Sequence, residues 1–279
     1  PHHVPGSQRN AMKSFPLPRL RDVAVLAALA LATAWAQEAR TAFRSKDGSL
    51  TLAPIGQFRV TQRPGQLVFN GKGSGLTATY NEYSLQAAEM NGTATRQGDK
   101  VDLRKMQTVG RTQGRFTNAE GRLETLSDQL TYTRGTPSQV ELAGDTTITN
   151  VETRLSRTTK MIGKQAVLTL DEAKKGRDQL RRATVAGPVR IELRQAASAN
   201  RGATKIDANG DRLVYEATDA GAELRLTGNV KITGDGDAFS GSGEASVVIV
   251  RFDAAGQVQE VEMAGEPAST LLNRRGSGR

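Results

Sequence analysis

The sequence contains no cysteine and only two histidines, His2 and His3, both of which precede Met12. A chain without cysteine forms no disulfide and offers no thiol for redox chemistry or nucleophilic attack. Without further histidines, the rest of the chain cannot supply Ser-His-Asp or Cys-His catalysis or a histidine-containing zinc site. We therefore expect no enzyme, no cofactor and no metal site, although composition leaves open a carboxylate pair of the kind used by glycosidases.

Aromatic residues are also scarce, at 4% of the chain, and hydrophobic residues make up 37% of it. No long helical pattern follows the first 36 residues. Small and medium-sized apolar side chains favour short strands around a narrow interior over a thick two-layer core. The predicted fold class is all-β, an elongated antiparallel folded sheet built from hairpin repeats.

The segment from Met12 to Ala36 has the features of a secretory signal peptide. Residues 12–21 (MKSFPLPRLR) are basic, and the apolar run that begins at Val23 ends in Ala34-Trp35-Ala36. This run is shorter than the roughly 20 apolar residues that cross a bilayer, which disfavours the alternative of an uncleaved anchor. We predict export to the periplasm with cleavage near Ala36/Gln37, so that residues 1–36 are an upstream remnant plus the signal peptide.

The rest of the chain is dominated by two-residue alternation. In LRLTGNVKIT (224–233), the leucine, glycine, valine and isoleucine residues share one parity and the charged residues share the other, as in a half-buried strand. A glycine inside a strand marks a bend. We therefore predict strands that are kinked at Gly144, Gly187 and Gly228, with weaker copies of the pattern at Gly92 and Gly265.

In chain order, Gly144, Gly187, Gly228 and Gly265 are separated by 43, 41 and 37 residues. An aromatic residue precedes most of the five glycines by 12 or 13 residues. We interpret this as a unit of roughly 40 residues, made of two hairpins and repeated about five times. The glycine-rich stretches at 70–75 (NGKGSG) and 234–243 (GDGDAFSGSG) are interpreted as hairpin turns. Neither precedes a helix as a phosphate loop does, and the second lacks a glutamate at EF-hand spacing.

One segment of this strand pattern resembles the repeat of a known protein family. DRLVYEATDAGAELRLTGNVKITGDGDAFSGSGEASVVI (211–249) is similar to the OstA-like repeat of the LptA-type lipopolysaccharide-transport proteins, and residues 128–148 and 43–110 are weaker matches. The resemblance implies a β-jelly roll, or β-taco, whose apolar trough shields the acyl chains of lipopolysaccharide or a related glycolipid on its way to the outer membrane. It also implies partners of like fold at the inner and outer membranes.

The apolar parity supplies the candidate lining of such a trough. Basic stretches at 103–111 (LRKMQTVGR) and 173–182 (AKKGRDQLRR) are candidates for contact with lipid phosphates, and a solvated surface is the alternative for both. Seven residues are predicted to line the trough and contact lipid: Leu142, Ile148, Val189, Ile191, Leu226, Val230 and Ile232.

Two other function classes remain open, namely an exported structural or adhesive β-repeat protein and a polyanion-binding module. Nucleic acid is not expected as a partner, because the basic stretches lack interleaved aromatic residues. An open sheet leaves unpaired edge strands, which we predict at Leu50–Val60 and Ser246–Phe252, and these edges would allow a head-to-tail homo-oligomer.

The domain prediction follows from the same pattern. We expect one β-repeat domain over residues 37–267 and a disordered basic tail over 268–279. Two fused half-domains near 37–150 and 151–267 are the alternative to a single long domain.

Overall fold

The computed structural model describes residues 43–53, 56–119, 121–173, 180–197, 202–218, 220–237, 239–265 and 269–272. The predicted signal peptide and its cleavage site lie outside the described residues, as does most of the predicted tail. The described chain consists of strands and connecting turns: β1 (Phe43–Arg44), β2 (Leu50–Ala53), β3 (Gln57–Arg63), β4 (Gln66–Tyr80), β5 (Tyr83–Gln97), β6 (Lys100–Asn118), β7 (Gly121–Thr133), β8 (Ser138–Glu152), β9 (Arg157–Leu170), β10 (Leu180–Gln195), β11 (Thr204–Thr218), β12 (Gly221–Asp235), β13 (Gly241–Asp253), β14 (Val258–Ala264) and β15 (Ser269–Leu272).

All fifteen strands belong to one antiparallel sheet that does not close on itself, which confirms the all-β prediction. From β4 to β14 each strand pairs with the next one in sequence, so this part of the sheet is a simple meander. The repeat is therefore one long hairpin of two strands, and the interpretation of two hairpins per unit was wrong. The suggested border between half-domains, at residues 150 and 151, falls inside β8.

A line of irregularities crosses the middle of every long strand. The pairing register shifts between Ala143 and Thr146 in β8 and between Thr227 and Val230 in β12, and similar shifts occur in the strands between them. Such β-bulges bend a strand and increase its twist. Glycines with positive φ occupy the line on alternate strands and at the end of β14: Gly110, Gly144, Gly187, Gly228 and Gly265.

The predicted kinks at Gly144, Gly187 and Gly228 thus coincide with bulges, but the copy at Gly92 was wrong. Gly92 lies away from the bend line, next to a separate register shift between Thr93 and Ala94, and its φ is not positive. A Cβ added there would come within 2.1 Å of the Phe69 ring, so this glycine makes room for an aromatic ring. The first kink of the series is instead Gly110 in β6.

Hydroxyl groups help to satisfy the backbone where the ladder is interrupted. Thr112 donates a hydrogen bond to the carbonyl of Gly110 at 2.9 Å, and Thr146 donates one to the carbonyl of Gly144 at 2.7 Å. Both threonines are fully buried. A buried carbonyl left unpaired by a bulge would be costly, so these side chains stabilise the bend.

The bend folds the sheet back on itself. Tyr80 on β4 pairs with Tyr83 on β5, and Tyr83 pairs with Phe116 on β6, so Tyr80 lies level with Phe116. Asp102 is also on β6, 14 positions (116 − 102) before Phe116. Fourteen residues of a straight strand would span roughly 46 Å. The Tyr80 hydroxyl nevertheless lies 3.1 Å from Asp102 Oδ1, so the two ends of the strands face each other.

The folded sheet therefore has two half-sheets that meet along the bend. We call the half that contains β1, β2 and β15 the upper half-sheet, and the half that contains β3 and β14 the lower half-sheet; each long strand contributes to both. The opening between the strand ends, opposite the bend, is the mouth. Side chains on the facing inner surfaces form one hydrophobic cluster, which is the core.

Of the two predicted free edges of the sheet, the N-terminal one is close to the observed edge and the C-terminal one is not. β2 and β3 both pair with β4, one along each half-sheet, so the predicted N-terminal edge at Leu50–Val60 is nearly right, although β1 covers β2. The predicted C-terminal edge at Ser246–Phe252 was wrong, because β13 pairs with β12 on one side and with β14 and β15 on the other.

The stretch at 234–243 connects β12 and β13, as predicted for a hairpin turn, with Gly234 paired to Gly241. The stretch at 70–75 does not form a turn. It lies inside β4, next to the register shift between Lys72 and Leu76. A cluster of glycines therefore marks the bend line there rather than the end of a strand.

Candidate functional site

The seven predicted trough residues all face the interior between the half-sheets. Each is at least 97% buried and belongs to the hydrophobic core. The gap beside Ile191, Leu226 and Ile232 has a volume of only about 10 Å³, which is about the smallest that holds one water molecule. In this part of the molecule the side chains from the two half-sheets fill the interior themselves.

A larger cavity of about 80 Å³ lies between the half-sheets near the N-terminal end of the sheet. None of the seven predicted residues lines it. The upper half-sheet contributes side chains from β4 to β7 and the lower half-sheet contributes side chains from β6 to β9. The main apolar contributors are Tyr83, Leu85, Phe116 and Leu123 above, and Met106, Leu130, Tyr132, Val140 and Leu170 below.

Aromatic rings surround the part of this cavity that is nearest to the mouth. The Tyr83 and Phe116 rings are tilted against each other with centroids 4.8 Å apart. Gly114 adds space, because a Cβ there would come within 2.5 Å of the Thr125 hydroxyl. These residues were missed because they lie near strand ends, away from the glycine repeats. The unusual concentration of aromatic residues in an aromatic-poor chain was the signal that could have found them.

A cluster of polar side chains spans the mouth beside the cavity. Tyr80 comes from the upper half-sheet, whereas its partners come from the lower one. The Tyr80 hydroxyl accepts a hydrogen bond from Arg134 Nη1 at 2.8 Å and donates one to Asp102 at 3.1 Å. We call the following group the rim cluster: Tyr80, Asp102, Tyr132, Arg134 and Glu172.

The remaining contacts of the rim cluster lie within the lower half-sheet. Arg134 pairs directly with Asp102, and its Nη2 lies 3.6 Å from Glu172 Oε2. The Tyr132 hydroxyl donates a hydrogen bond to Glu172. Arg104 approaches Asp102 from outside at 3.2 Å. The two arginines therefore balance the two carboxylates.

The tyrosines at the cavity keep their protons at neutral pH. Burial is the main cause that raises the pKa of Tyr80, Tyr83 and Tyr132 above the usual value of 10. The hydrogen bond from Tyr132 to Glu172 raises the pKa of Tyr132 further. All three therefore present a neutral ring to the cavity and a hydroxyl that can donate and accept.

A second polar contact closes the mouth towards the C-terminal end of the sheet. Arg157, at the start of β9, pairs with Glu152, donates to the carbonyl of Gly256 and lies 4.7 Å above the Phe252 ring centroid. Glu152 and Arg157 are more than 90% buried. Loss of either residue would leave the other charge buried and uncompensated. Glu152 and Arg157 lie opposite each other within the upper half-sheet, so the two half-sheets are joined here by the contacts of Arg157 with Gly256 and with Phe252 of the lower half-sheet.

The structure describes the first predicted basic stretch in full and the second only in part. In the first, Arg104 and Arg111 pair with Asp102 and Asp128 on the outer surface, so that stretch forms a solvated face. Residues 174–179 of the second stretch lie outside the described residues. Among the described residues, no three histidine, cysteine or acidic side chains are grouped to hold a metal ion.

Comparison of the chain with protein-family models, with curated proteins and with solved structures finds no match in any of the three. In the described part of the chain, no helix is long and apolar enough to span a membrane.

Proposed function

We propose that this protein binds the acyl chains of lipopolysaccharide or a related envelope glycolipid between its two half-sheets and carries them through the periplasm. The observation that supports this most directly is the apolar cavity at the mouth, bordered by the rim cluster. Ligand sites are typically apolar concavities with a few placed polar groups. The resemblance of residues 211–249 to lipid-transport repeats and the signal-like segment point in the same direction.

The energetics favour an acyl chain as the ligand. Each methylene group moved from water into an apolar site is worth about 0.8 kcal/mol. The interior on both sides of the cavity is a continuous apolar core, so a chain that parts the half-sheets meets apolar side chains along its length. At about 80 Å³ the cavity is small next to the several hundred cubic ångströms of typical ligand sites, so binding of a long chain requires the mouth to widen.

The charge distribution favours this function over polyanion binding. Basic residues on the outer face are interspersed with acidic partners, such as Lys72 with Glu89, Arg115 with Glu124 and Lys231 with Glu244. A surface whose cations are already paired offers less to a polyanion than a continuous basic stripe does.

Site-specific photo-crosslinking tests the proposal. Val140 lines the cavity, whereas its neighbour Glu141 points to the exposed face of the same strand. A photo-reactive residue at position 140 should capture glycolipid in cells, and one at position 141 should not. Equal labelling at both positions, or purified protein whose organic extract contains no lipid by mass spectrometry, would contradict the proposal in favour of a structural role.

A further inference from the structure

The tyrosines of the rim cluster connect the cavity to the charged groups at the mouth. The rings of Tyr80 and Tyr132 line the cavity, and their hydroxyls reach the rim cluster. Tyr80 is the one member of the cluster that comes from the upper half-sheet. Separation of the half-sheets at this point therefore withdraws a single hydroxyl from between Arg134 and Asp102.

That withdrawal leaves a specific pair of groups. Arg134 Nη1 loses a hydrogen-bond acceptor, and Asp102 Oδ1 loses a donor. Another hydroxyl satisfies both at once, because it accepts and donates. A carboxylate or phosphate head group can accept from the guanidinium but meets a like charge at Asp102.

The charges around the cluster do not favour an anion. Arg134 already faces Asp102 and Glu172, and Asp102 also faces Arg104. Among the described residues of the rim cluster and Arg104, the two positive and two negative charges cancel, so an anionic head group would lose hydration there without meeting an uncompensated cation. Arg134 and Asp102 keep their direct contact when Tyr80 leaves, and a hydroxyl in its place restores one further hydrogen bond to each, which matters because hydrogen bonds to charged groups are the stronger ones.

We infer that the rim cluster recognises an uncharged, hydroxyl-bearing head group, one hydroxyl of which takes the place of Tyr80 between Arg134 and Asp102 while the chain enters the cavity. The ligand class is an amphiphile with a glycosyl or other polyhydroxyl head. This inference rests on the proposed function, since it requires an apolar chain between the half-sheets.

Two amphiphiles with the same tail separate recognition of the head from binding of the tail. The purified protein is loaded with N-phenyl-1-naphthylamine, an uncharged fluorescent probe. Decyl maltoside or decyl phosphate is then added below its micellar range, and the displacement of the probe measures the affinity of each amphiphile. We expect decyl maltoside to bind at least about tenfold more tightly than decyl phosphate, as one good hydrogen bond to a charged group predicts.

Variants at the rim cluster test the residues. Arg134→Gln should abolish the preference for decyl maltoside. Arg225→Gln is the matched control, because Arg225 is an exposed arginine with a carboxylate partner at 2.9 Å, outside the cavity lining. Tyr80→Phe keeps the ring but removes the competing hydroxyl, so it should tighten decyl maltoside binding several-fold relative to decyl phosphate binding.

The outcomes separate the inference from the proposed function. If the probe binds and both detergents displace it equally, or decyl phosphate displaces it more readily, the inference is wrong while binding of an apolar chain stands. If neither the probe nor any detergent binds, the proposed function fails as well. Should Arg134→Gln unfold, a Tyr80→Phe variant that folds and shows no gain for decyl maltoside over the wild type would still overturn the inference.

Discussion

Gly228 shows how a kink that is visible in the sequence can have a different cause in the structure. Its place on the apolar parity implies that a side chain added there would point into the interior. Its φ is instead +82°, and an added Cβ would come within 2.2 Å of Asp211 Oδ2, on the outer face. The conformation, together with this contact on the convex side, explains why glycine stands here.

Replacement of Gly228 by alanine should therefore destabilise the protein by roughly 1–3 kcal/mol, because an L-residue is strained at positive φ. Chemical denaturation measures the change in the free energy of unfolding. Gly65→Ala is the control for the backbone term, since Gly65 also has positive φ but nothing within 4 Å of the added Cβ. Equal losses for the two variants would show that the contact with Asp211 contributes nothing.

Asp47 gives a prediction about pH. The hydrogen bond to Ser45 is the largest cause that lowers its pKa from 3.8 to about 2, and contacts with Ser49 and the Val101 N–H add to it, while desolvation opposes them. A carboxyl whose folded pKa is depressed stabilises the fold above its unfolded pKa, and this contribution is lost as the pH falls through the folded value. The affected window is thus about pH 4 to pH 2.

We expect Asp47→Asn to lower the melting temperature at pH 6 and to have progressively less effect as the pH falls towards 2. Because Asp47 is fully exposed, the difference at pH 6 should be small. Thermal melts of both proteins at a series of pH values measure it. A melting-temperature difference that does not change between pH 6 and pH 2 would contradict the assignment.

At the scale of elements, β13 shows that the sequence pattern of a segment predicts a strand but does not predict the position of that strand within the sheet. SVVIVRF (246–252) has the composition of a strand, and it is one. It was predicted to be an exposed edge strand, but it pairs with neighbouring strands on both sides. Sequence periodicity identifies strands well because side-chain direction is local, whereas the position of a strand within the sheet depends on segments that are distant in sequence.

Val248→Pro should consequently unfold or strongly destabilise the protein, by about 3 kcal/mol or more, since a strand with neighbours on both sides cannot lose an N–H donor without breaking a ladder bond. Circular dichroism during urea denaturation measures this. Val248→Ala controls for lost packing, because Val248 is buried. A Val248→Pro variant as stable as Val248→Ala would mean that β13 is an edge strand after all.

The candidate site illustrates the same limit. The predicted lining residues were correctly placed on the inner face, because alternation fixes the face of a strand. Alternation says nothing about where the two inner faces fail to fill the space between them. The cavity depends on pairs such as Gly114 with Thr125 and Tyr83 with Phe116, which meet only after the strands are in register and the sheet is folded.

At the scale of the whole molecule, the meander ends in two short strands at each edge. β3 and β14 terminate the lower half-sheet, and they would be antiparallel if placed side by side, since β3 runs opposite to β4 and β14 runs in the same direction as β4. Among the described residues, neither has a second neighbour. Strand edges of this kind invite pairing with another chain.

The charges on these two edges are complementary. β3 carries Arg59 and Arg63, and β14 carries Glu260 and Glu262. Both glutamates also contact Arg251, at 2.7 and 2.8 Å, so any attraction across an interface would compete with that contact and weaken with added salt. Pairing of β14 with β3 of a second copy would continue the meander and place the two interiors end to end.

We therefore expect the protein to form head-to-tail assemblies that grow with concentration and dissociate as the salt concentration rises. Light scattering coupled to size-exclusion chromatography measures both dependences. Replacement of Arg59 and Arg63 by glutamate should abolish the assembly, because it places like charges opposite β14. Arg122→Glu is the control, since Arg122 is an exposed arginine on β7, inside the sheet, whose pairing leaves no free edge. If the wild type remains monomeric at every concentration, or if the β3 double variant and the Arg122 variant associate equally, then β3 and β14 are edges closed to like molecules, and any lipid must pass to a partner by another surface.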